Sequence, residues 1–193
     1  METVGAIQIR RWSREEFEKM IESGIFPPGA RAELIDGEIL STAPQQSPHA
    51  VAISLAEECL RMAFGAGYTI RPQLPLALDA CSEPEPDIAV VPGSPRDFLA
   101  GHPASAVLVV EIADASLAYD RQQKASLYAR VGIGDYSIIN LVDRKVEIYR
   151  DPVPAPSSPS ARAYSRVESF ATGQQVTPLA APNAYIPVAD LLP

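Results

Sequence analysis

This sequence is organised around two apolar segments, EPDIAVV at residues 85–91 and AVLVVEI at residues 106–112. The segment at 106–112 begins with a continuous apolar run, residues 106–110, which is typical of a strand buried on both faces of a sheet. The apolar run of the other segment, residues 88–91, is shorter but alike, and a carboxylate adjoins each run, Asp87 or Glu111. A carboxylate in apolar surroundings is costly unless it is paired, bound to a metal or placed in a wet cleft. Two such acids on neighbouring strands therefore need a cation.

A helix predicted farther along the chain offers that cation. At helical spacing, Asp120, Lys124, Leu127 and Tyr128 share one face, so Lys124 lies on the apolar stripe of the helix. The chain has only three lysines, and a lysine that serves solubility would lie on the opposite face. We therefore treat Asp87, Glu111 and Lys124 as one constellation.

The composition limits the class of protein. A chain of 193 residues with 47% hydrophobic content favours a single domain over residues 1–193 with one substantial core. No segment is long and apolar enough for a membrane span, and the N-terminus lacks the layout of a signal peptide, so we expect a cytoplasmic protein with no membrane partner.

Two cysteines and two histidines lie far apart, which disfavours zinc and leaves a hard, oxygen-bound divalent metal. The net charge of −8 disfavours a protein that coats nucleic acid.

Two further acids or bases could join the constellation. Asp36-Gly37 predicts a hairpin turn between two short strands, with Glu33 opposite Leu40. Glu33 then either faces the cleft or is an ordinary edge-strand glutamate. A helix from about residue 49 to 64, capped by Ser47-Pro48, carries His49 at its N-terminal end, where a histidine is more often structural than catalytic.

The rest of the pattern predicts strands and loops of one domain. A capping box at residues 13–16 predicts a short helix, and residues 135–142 and 145–150 read as a strand hairpin. Residues 150–160 are rich in proline and serine, which predicts a flexible loop.

Two carboxylates and an ammonium suit metal-assisted hydrolysis of a phosphodiester. The carboxylates hold Mg²⁺ or Mn²⁺, and the lysine stabilises charge that develops during the reaction. The structural alternative stays open. Asp120 and Lys124 could form an exposed pair four residues apart, worth only about 0.2–0.5 kcal/mol; Glu111 could pair with an arginine, and Asp87 could cap a turn.

The ordered set of motifs resembles the Uma family of putative restriction endonucleases, within the PD-(D/E)XK nuclease superfamily. The likeness rests on EPDIAVV at 85–91, VEIADASLAYD at 110–120, Lys124 with LYA at 127–129, and Gly132-Ile133. It extends upstream through ELIDGE at 33–38 and His49, and downstream to IPVADLL at 186–192. The resemblance therefore covers nearly the whole chain.

The resemblance implies an α/β, restriction-endonuclease-like fold: a mixed sheet flanked by helices, with additional antiparallel hairpins. It implies Asp87 and Glu111 as metal ligands and Lys124 as the family's displaced lysine, with Asp120 as a recurrent acid. It also implies Mg²⁺-dependent hydrolysis of DNA by a homodimer. The competing expectation is a catalytically silent member of the same fold that acts as a binding or scaffold module.

Overall fold

A six-stranded mixed sheet forms the centre of the protein. The computed structural model describes residues 9–27, 29–41, 45–155 and 158–193. Along the sheet the strands are β3 (Tyr68–Pro72), β4 (Ile88–Pro92), β5 (Leu108–Ala113), β6 (Asp135–Asn140), β7 (Lys145–Ala155) and β8 (Ser158–Ala171). Only β5 and β6 are parallel; the other neighbours are antiparallel. The predicted mixed sheet is confirmed, and β4 and β5 are neighbours as expected.

Helices and two small antiparallel strand pairs lie outside this sheet. The helices are α1 (Arg14–Glu22), α2 (Ser47–Phe64), α3 (Leu117–Tyr119) and α4 (Ala125–Arg130), and a π-helical turn (Asp120–Lys124) joins α3 to α4. Two antiparallel pairs lie outside the sheet: β1 (Ala32–Ile35) with β2 (Glu38–Ser41), and β9 (Gln175–Val176) with β10 (Ile186–Pro187). Short 3-10 turns span Pro95–Phe98 and Val188–Leu191.

Both faces of the central strands are buried, which explains their continuous apolar runs. Ile88 and Val90 of β4 point to one face and pack with the inner side of α2. Ala89 and Val91 point to the other face and pack with residues of α4, among them Tyr128. Alternate side chains of one strand thus enter two separate cores, so neither face can be polar.

The local signals at α1 and at the hairpin are confirmed. Ser13 and Glu16 form the reciprocal capping box at the start of α1. Glu33 pairs with Leu40 across the Asp36-Gly37 turn, whose two residues have φ angles of 51° and 77°. The start of α2 was predicted less well: Ser47 is its first residue, and the cap is Gln46, without a side-chain capping hydrogen bond.

The loop predicted at residues 150–160 is wrong for the described part of that range. Strand β7 continues to Ala155 and β8 begins at Ser158, with Pro152 paired to Tyr164. The pairing of β6 with β7 ends at Arg150, so beyond that point β7 pairs with β8 alone among the described residues. Proline is tolerated on such an edge stretch because it can lack an N–H on the unpaired side without losing a hydrogen bond of the sheet.

No described helix combines the length and apolar character that crossing a membrane requires. Cys59 and Cys81 are both free thiols.

Candidate active site

The ends of β4 and β5 bring Asp87 and Glu111 together. The antiparallel register pairs Ile88 with Val110, so Asp87 and Glu111 are the next residues on the two strands. The backbone N–H of Ile112 donates to Asp87 Oδ2 at 2.8 Å, and the N–H of Asp87 donates to Glu111 Oε2 at 3.3 Å. Both side chains are buried. The two acids are therefore fixed side by side by the strands themselves.

Lys124 reaches this pair from the helical segment. Its Nζ lies 3.0 Å from Glu111 Oε1 and 3.5 Å from Glu33 Oε2, and the side chain is buried. The π-helical turn ends where the N–H of Ala125 donates to the carbonyl of Asp120, and Asp120 and Lys124 are its buried residues. The exposed Asp120–Lys124 pair considered from the sequence does not occur, because both side chains point inward.

His49 lies on the other side of Asp87. Its Nε2 is 3.0 Å from Asp87 Oδ1, an oxygen that the side-chain amides of Gln45 and Gln73 also approach, at 3.4 and 3.5 Å. The first turn of α2 thus carries His49 to the cleft. His49, at a position where the sequence favoured a structural role, therefore contacts Asp87 directly.

Glu33 and Asp120 also belong to this site. Glu33 is buried, and its Oε2 accepts a hydrogen bond from the N–H of Glu85 at 3.2 Å. Asp120 is also buried, and its carboxylate accepts a hydrogen bond from Ser116 Oγ at 2.6 Å. The reading of Glu33 as an ordinary edge-strand residue is therefore excluded.

These residues line one cleft of about 440 Å³. Its walls carry six carboxylates but only two permanent cations and one histidine. The acids are Glu33, Glu85, Asp87, Glu111, Asp114 and Asp120, and the bases are Arg31, Lys124 and His49. The excess of negative charge in a partly dehydrated cleft favours a bound cation.

The charge imbalance changes the pKa values of the two buried partners. Burial, together with the neighbouring acids Asp87 and Asp120, raises the pKa of Glu111 to about 8 even though Lys124 opposes the shift. Burial would lower the pKa of Lys124, but the carboxylates of Glu111 and Glu33 outweigh burial and raise that pKa above its usual value. Lys124 therefore keeps its proton, and the group of acids shares one more near neutral pH.

Asp87 behaves differently from Glu111. Burial opposes its ionisation, but the hydrogen bond and charge of His49 and the Ile112 N–H hold the pKa of Asp87 below its usual value. Conversely, burial would lower the pKa of His49, and its contact with Asp87 raises it instead. Two adjacent acids thus have opposite pKa shifts, which is a common property of functional sites.

The donor set fits a hard divalent cation. Within residues 9–27, 29–41, 45–155 and 158–193, no three His, Cys, Asp or Glu side chains gather as a ready-made metal cluster. Mg²⁺ differs from zinc here, since it is usually held by one or two carboxylates and completes its shell with water and substrate phosphates. Asp87 and Glu111 provide two such carboxylates at the wall of an open cleft.

Sequence reasoning missed the hydroxyl of Tyr128. It donates to Glu111 Oε1 at 2.7 Å from a fully buried position, although the pattern marked Tyr128 only as a residue of the apolar stripe. Its position one turn after Lys124 was the available signal, because residues four apart share a helix face. Gln45 and Gln73 were also missed, and no local pattern indicated them.

The fold and the cleft define a class of protein: a nuclease-like α/β domain with paired acids at the end of two central strands. A solved structure supports this class, the crystal structure of a putative nuclease belonging to DUF820 from Anabaena variabilis ATCC 29413. It has 18% sequence identity and a TM-score of 0.68, and the match covers 93% of this chain and 96% of that one.

The family follows from the sequence itself. Residues 14–189 match the model of the Uma2 family, described as a putative restriction endonuclease. The chain belongs to this family. A search of curated proteins found no match.

Proposed function

We propose that this protein is a metal-dependent endonuclease that hydrolyses phosphodiester bonds of DNA. The observation that supports the proposal is the geometry of one contact group: Asp87 and Glu111 lie side by side, and the Lys124 ammonium is 3.0 Å from Glu111. Membership of a family of putative restriction endonucleases supports this reaction class. DNA as substrate, Mg²⁺ or Mn²⁺ as cofactor and a homodimeric assembly are parts of the proposal.

Asp87 and Glu111, which both line the cleft, would hold the metal. A bound divalent ion would polarise a phosphoryl oxygen and lower the pKa of a water molecule, which is the chemistry that such ions supply in phosphodiester hydrolysis. Both acids must be ionised to bind it. The Ile112 N–H and His49 keep Asp87 ionised before any ion arrives.

Lys124 has a separate role. Its ammonium is held inside the cleft by Glu111 and Glu33, so it lies beside the position of a scissile phosphate that reaches the two acids. A fixed positive charge there stabilises negative charge that builds up in the transition state without reorganisation of solvent. Glu33 orients this lysine, and His49 and Asp120 supply titratable groups on the two sides of the cleft.

One observation favours the alternative, a catalytically silent scaffold. Among the described residues, twelve of the sixteen lysines and arginines lie within 4 Å of an acid, and the exceptions are Arg71, Arg96, Arg144 and Arg162. Paired cations have less charge to offer to phosphates, and neutralisation of phosphates supplies most non-specific affinity for DNA. DNA binding by this protein should therefore be weak and should fall steeply as salt rises.

A thermal-shift titration with Mn²⁺ tests the metal site. The wild type should gain melting temperature as Mn²⁺ is added, because ligands that bind the native state stabilise it by mass action. Asp87→Asn should abolish the gain. Asp143→Asn, the same change in an acid outside the cleft, should retain it. Equal gains in the wild type and Asp87→Asn would show that the metal binds elsewhere.

Cleavage of supercoiled plasmid DNA in Mg²⁺ or Mn²⁺ separates the enzyme from the scaffold. The wild type should nick or linearise the plasmid, and Glu111→Gln should not. A wild type that binds metal but neither cuts plasmid nor binds DNA at low salt in Ca²⁺ would favour the scaffold.

A further inference from the structure

Four buried tyrosines form a cluster behind the cleft: Tyr128, Tyr136, Tyr149 and Tyr164. Their ring centroids lie 5.0 to 6.1 Å apart. Each hydroxyl has its own partner. Tyr136 donates to the carbonyl of Asp120, Tyr149 to the carboxylate of Glu147 and Tyr164 to the carbonyl of Ile133. Tyr128 is the member of the cluster whose hydroxyl reaches Glu111.

The two oxygens of Glu111 have different environments. Oε1 accepts from the Tyr128 hydroxyl at 2.7 Å and from Lys124 Nζ at 3.0 Å, which occupies both of its lone-pair directions. Oε2 accepts from the Asp87 N–H at 3.3 Å, the one hydrogen bond to it from the part of the chain that the structure describes. Both lone pairs of Oε1 are thus used by protein donors. Oε2, which lies beside Asp87, can still bind a further partner such as a cation.

We propose that Tyr128 is a positioning residue that holds Glu111 so that Oε2 faces a divalent cation beside Asp87. This inference rests on the proposed metal-dependent function, and it adds a residue that contacts no cation itself. Tyr128 acts through the carboxylate.

The burial of Tyr128 makes its hydroxyl a rigid donor. The side chain is fully buried, so the hydroxyl could not replace its hydrogen bond to Glu111 with one to bulk water. Without this donor, Lys124 alone would hold Oε1, and a long flexible ammonium fixes the plane of a carboxylate less well than two donors.

Groups that orient a metal ligand commonly contribute a factor of about 10–100 to metal affinity. The chain offers a matched pair of variants for the measurement. Tyr128→Phe removes the hydroxyl on Glu111, and Tyr164→Phe removes a hydroxyl of the same cluster that donates to a backbone carbonyl at 2.8 Å. Both changes preserve the ring and its packing, so a general effect on the core should appear in both.

Mn²⁺ binding should be measured for the three proteins by the electron paramagnetic resonance signal of the free ion. We expect Tyr128→Phe to bind Mn²⁺ about 10–100-fold more weakly than the wild type. Tyr164→Phe should retain the affinity of the wild type, and circular dichroism should show the same fold in all three. Cleavage by Tyr128→Phe should recover as Mn²⁺ is raised, because the variant lacks affinity rather than a reacting group.

The outcomes separate this inference from the proposed function. A wild type that takes up no Mn²⁺ overturns the proposed function and the role of Tyr128 with it. If the wild type binds Mn²⁺, then unchanged or tighter binding by Tyr128→Phe overturns the positioning role alone. An equal loss in Tyr164→Phe also overturns it, since the effect would then belong to the tyrosine core as a whole.

Discussion

Replacing Lys124 with alanine is the change for which the structure gives the sharpest expectation. The ammonium lies 3.0 Å from Glu111 and 3.5 Å from Glu33, and all three side chains are buried. Its removal leaves two buried carboxylates without their cation. From the sequence alone, a lysine on a helix surface paired with Asp120 would have contributed only about 0.2–0.5 kcal/mol. The contacts predict a much larger cost.

Breaking a buried ion pair by removing one partner typically costs about 3–5 kcal/mol, because the other charge stays buried and uncompensated. Burial and the neighbouring acids raise the pKa of Glu111 to about 8 although Lys124 opposes the shift, and loss of the ammonium would raise it further, so Glu111 of the variant is protonated and neutral near pH 7. This escape places the expected loss at the lower end, about 3 kcal/mol, or roughly 6–12 °C in melting temperature for a chain of this size.

Urea unfolding in EDTA measures this loss, and another lysine of the chain supplies the control. Lys19 pairs with Glu15 on the exposed face of α1, so Lys19→Ala should change the free energy of unfolding very little. The same Lys124→Ala protein should still bind Mn²⁺ and should lose about 10²–10³ in cleavage rate. Lys124→Arg should not restore cleavage, since a planar guanidinium does not replace a compact ammonium.

Two results would refute this reasoning. A loss of stability no larger than that of Lys19→Ala would mean that Lys124 does not form the buried pair. Cleavage at the wild-type rate by a folded Lys124→Ala protein would remove the lysine from the reaction.

Three further changes test other parts of the structure. Burial raises the pKa of Glu83 to about 7, so the folded state holds a proton that the unfolded state releases above about pH 4.5, and stability falls as pH rises through that window. Glu83→Gln should flatten this fall, by as much as roughly 3 kcal/mol at pH 8 in urea titrations; an unchanged slope would contradict it. The hydrogen bonds of Glu147 outweigh its burial and lower its pKa to about 2, so its stabilisation is present above about pH 4.5 and is lost as pH falls toward 2. Acid unfolding of Glu147→Gln should accordingly be shallower than that of the wild type. Gly37 has a φ of +77°, and a Cβ there would lie 2.8 Å from Arg11 Cβ, so Gly37→Ala should cost about 1–3 kcal/mol by thermal unfolding, more than Gly67→Ala, where φ is also positive but no atom lies within 4 Å. Equal losses would show that the contact with Arg11 is unimportant.

The core of the site was predictable because it depends on short-range pattern. Two apolar runs, one directly after Asp87 and one leading into Glu111, predicted two buried strands, and strands close in sequence commonly pair. The position of Lys124 on an apolar helical stripe indicated that its ammonium had a partner inside. These inferences use side-chain periods of two and of about 3.6 residues, which are properties of the chain itself.

The ambiguous residues were those whose partners lie far away along the chain. Glu33 and His49 each had an ordinary structural interpretation until the packing placed them at Lys124 and at Asp87. The loop expected at residues 150–160 was wrong for the described part of that range, for a related reason. Proline and serine favour loops on average, but they are tolerated in an edge stretch of a strand, such as β7 beyond its pairing with β6.

By itself, the sequence determined the sheet-forming runs, the Asp36-Gly37 hairpin and the cap of α1, because each depends on residues only a few positions apart. It also predicted that Asp87, Glu111 and Lys124 form one group, and the structure brings these three side chains together. Only the tertiary structure decided that the π-helical turn points both Asp120 and Lys124 inward and that the hydroxyl of Tyr128 binds Glu111. Those contacts depend on how the helix packs against the sheet, because a small shift of the helix would move the side chains beyond hydrogen-bonding distance of their partners.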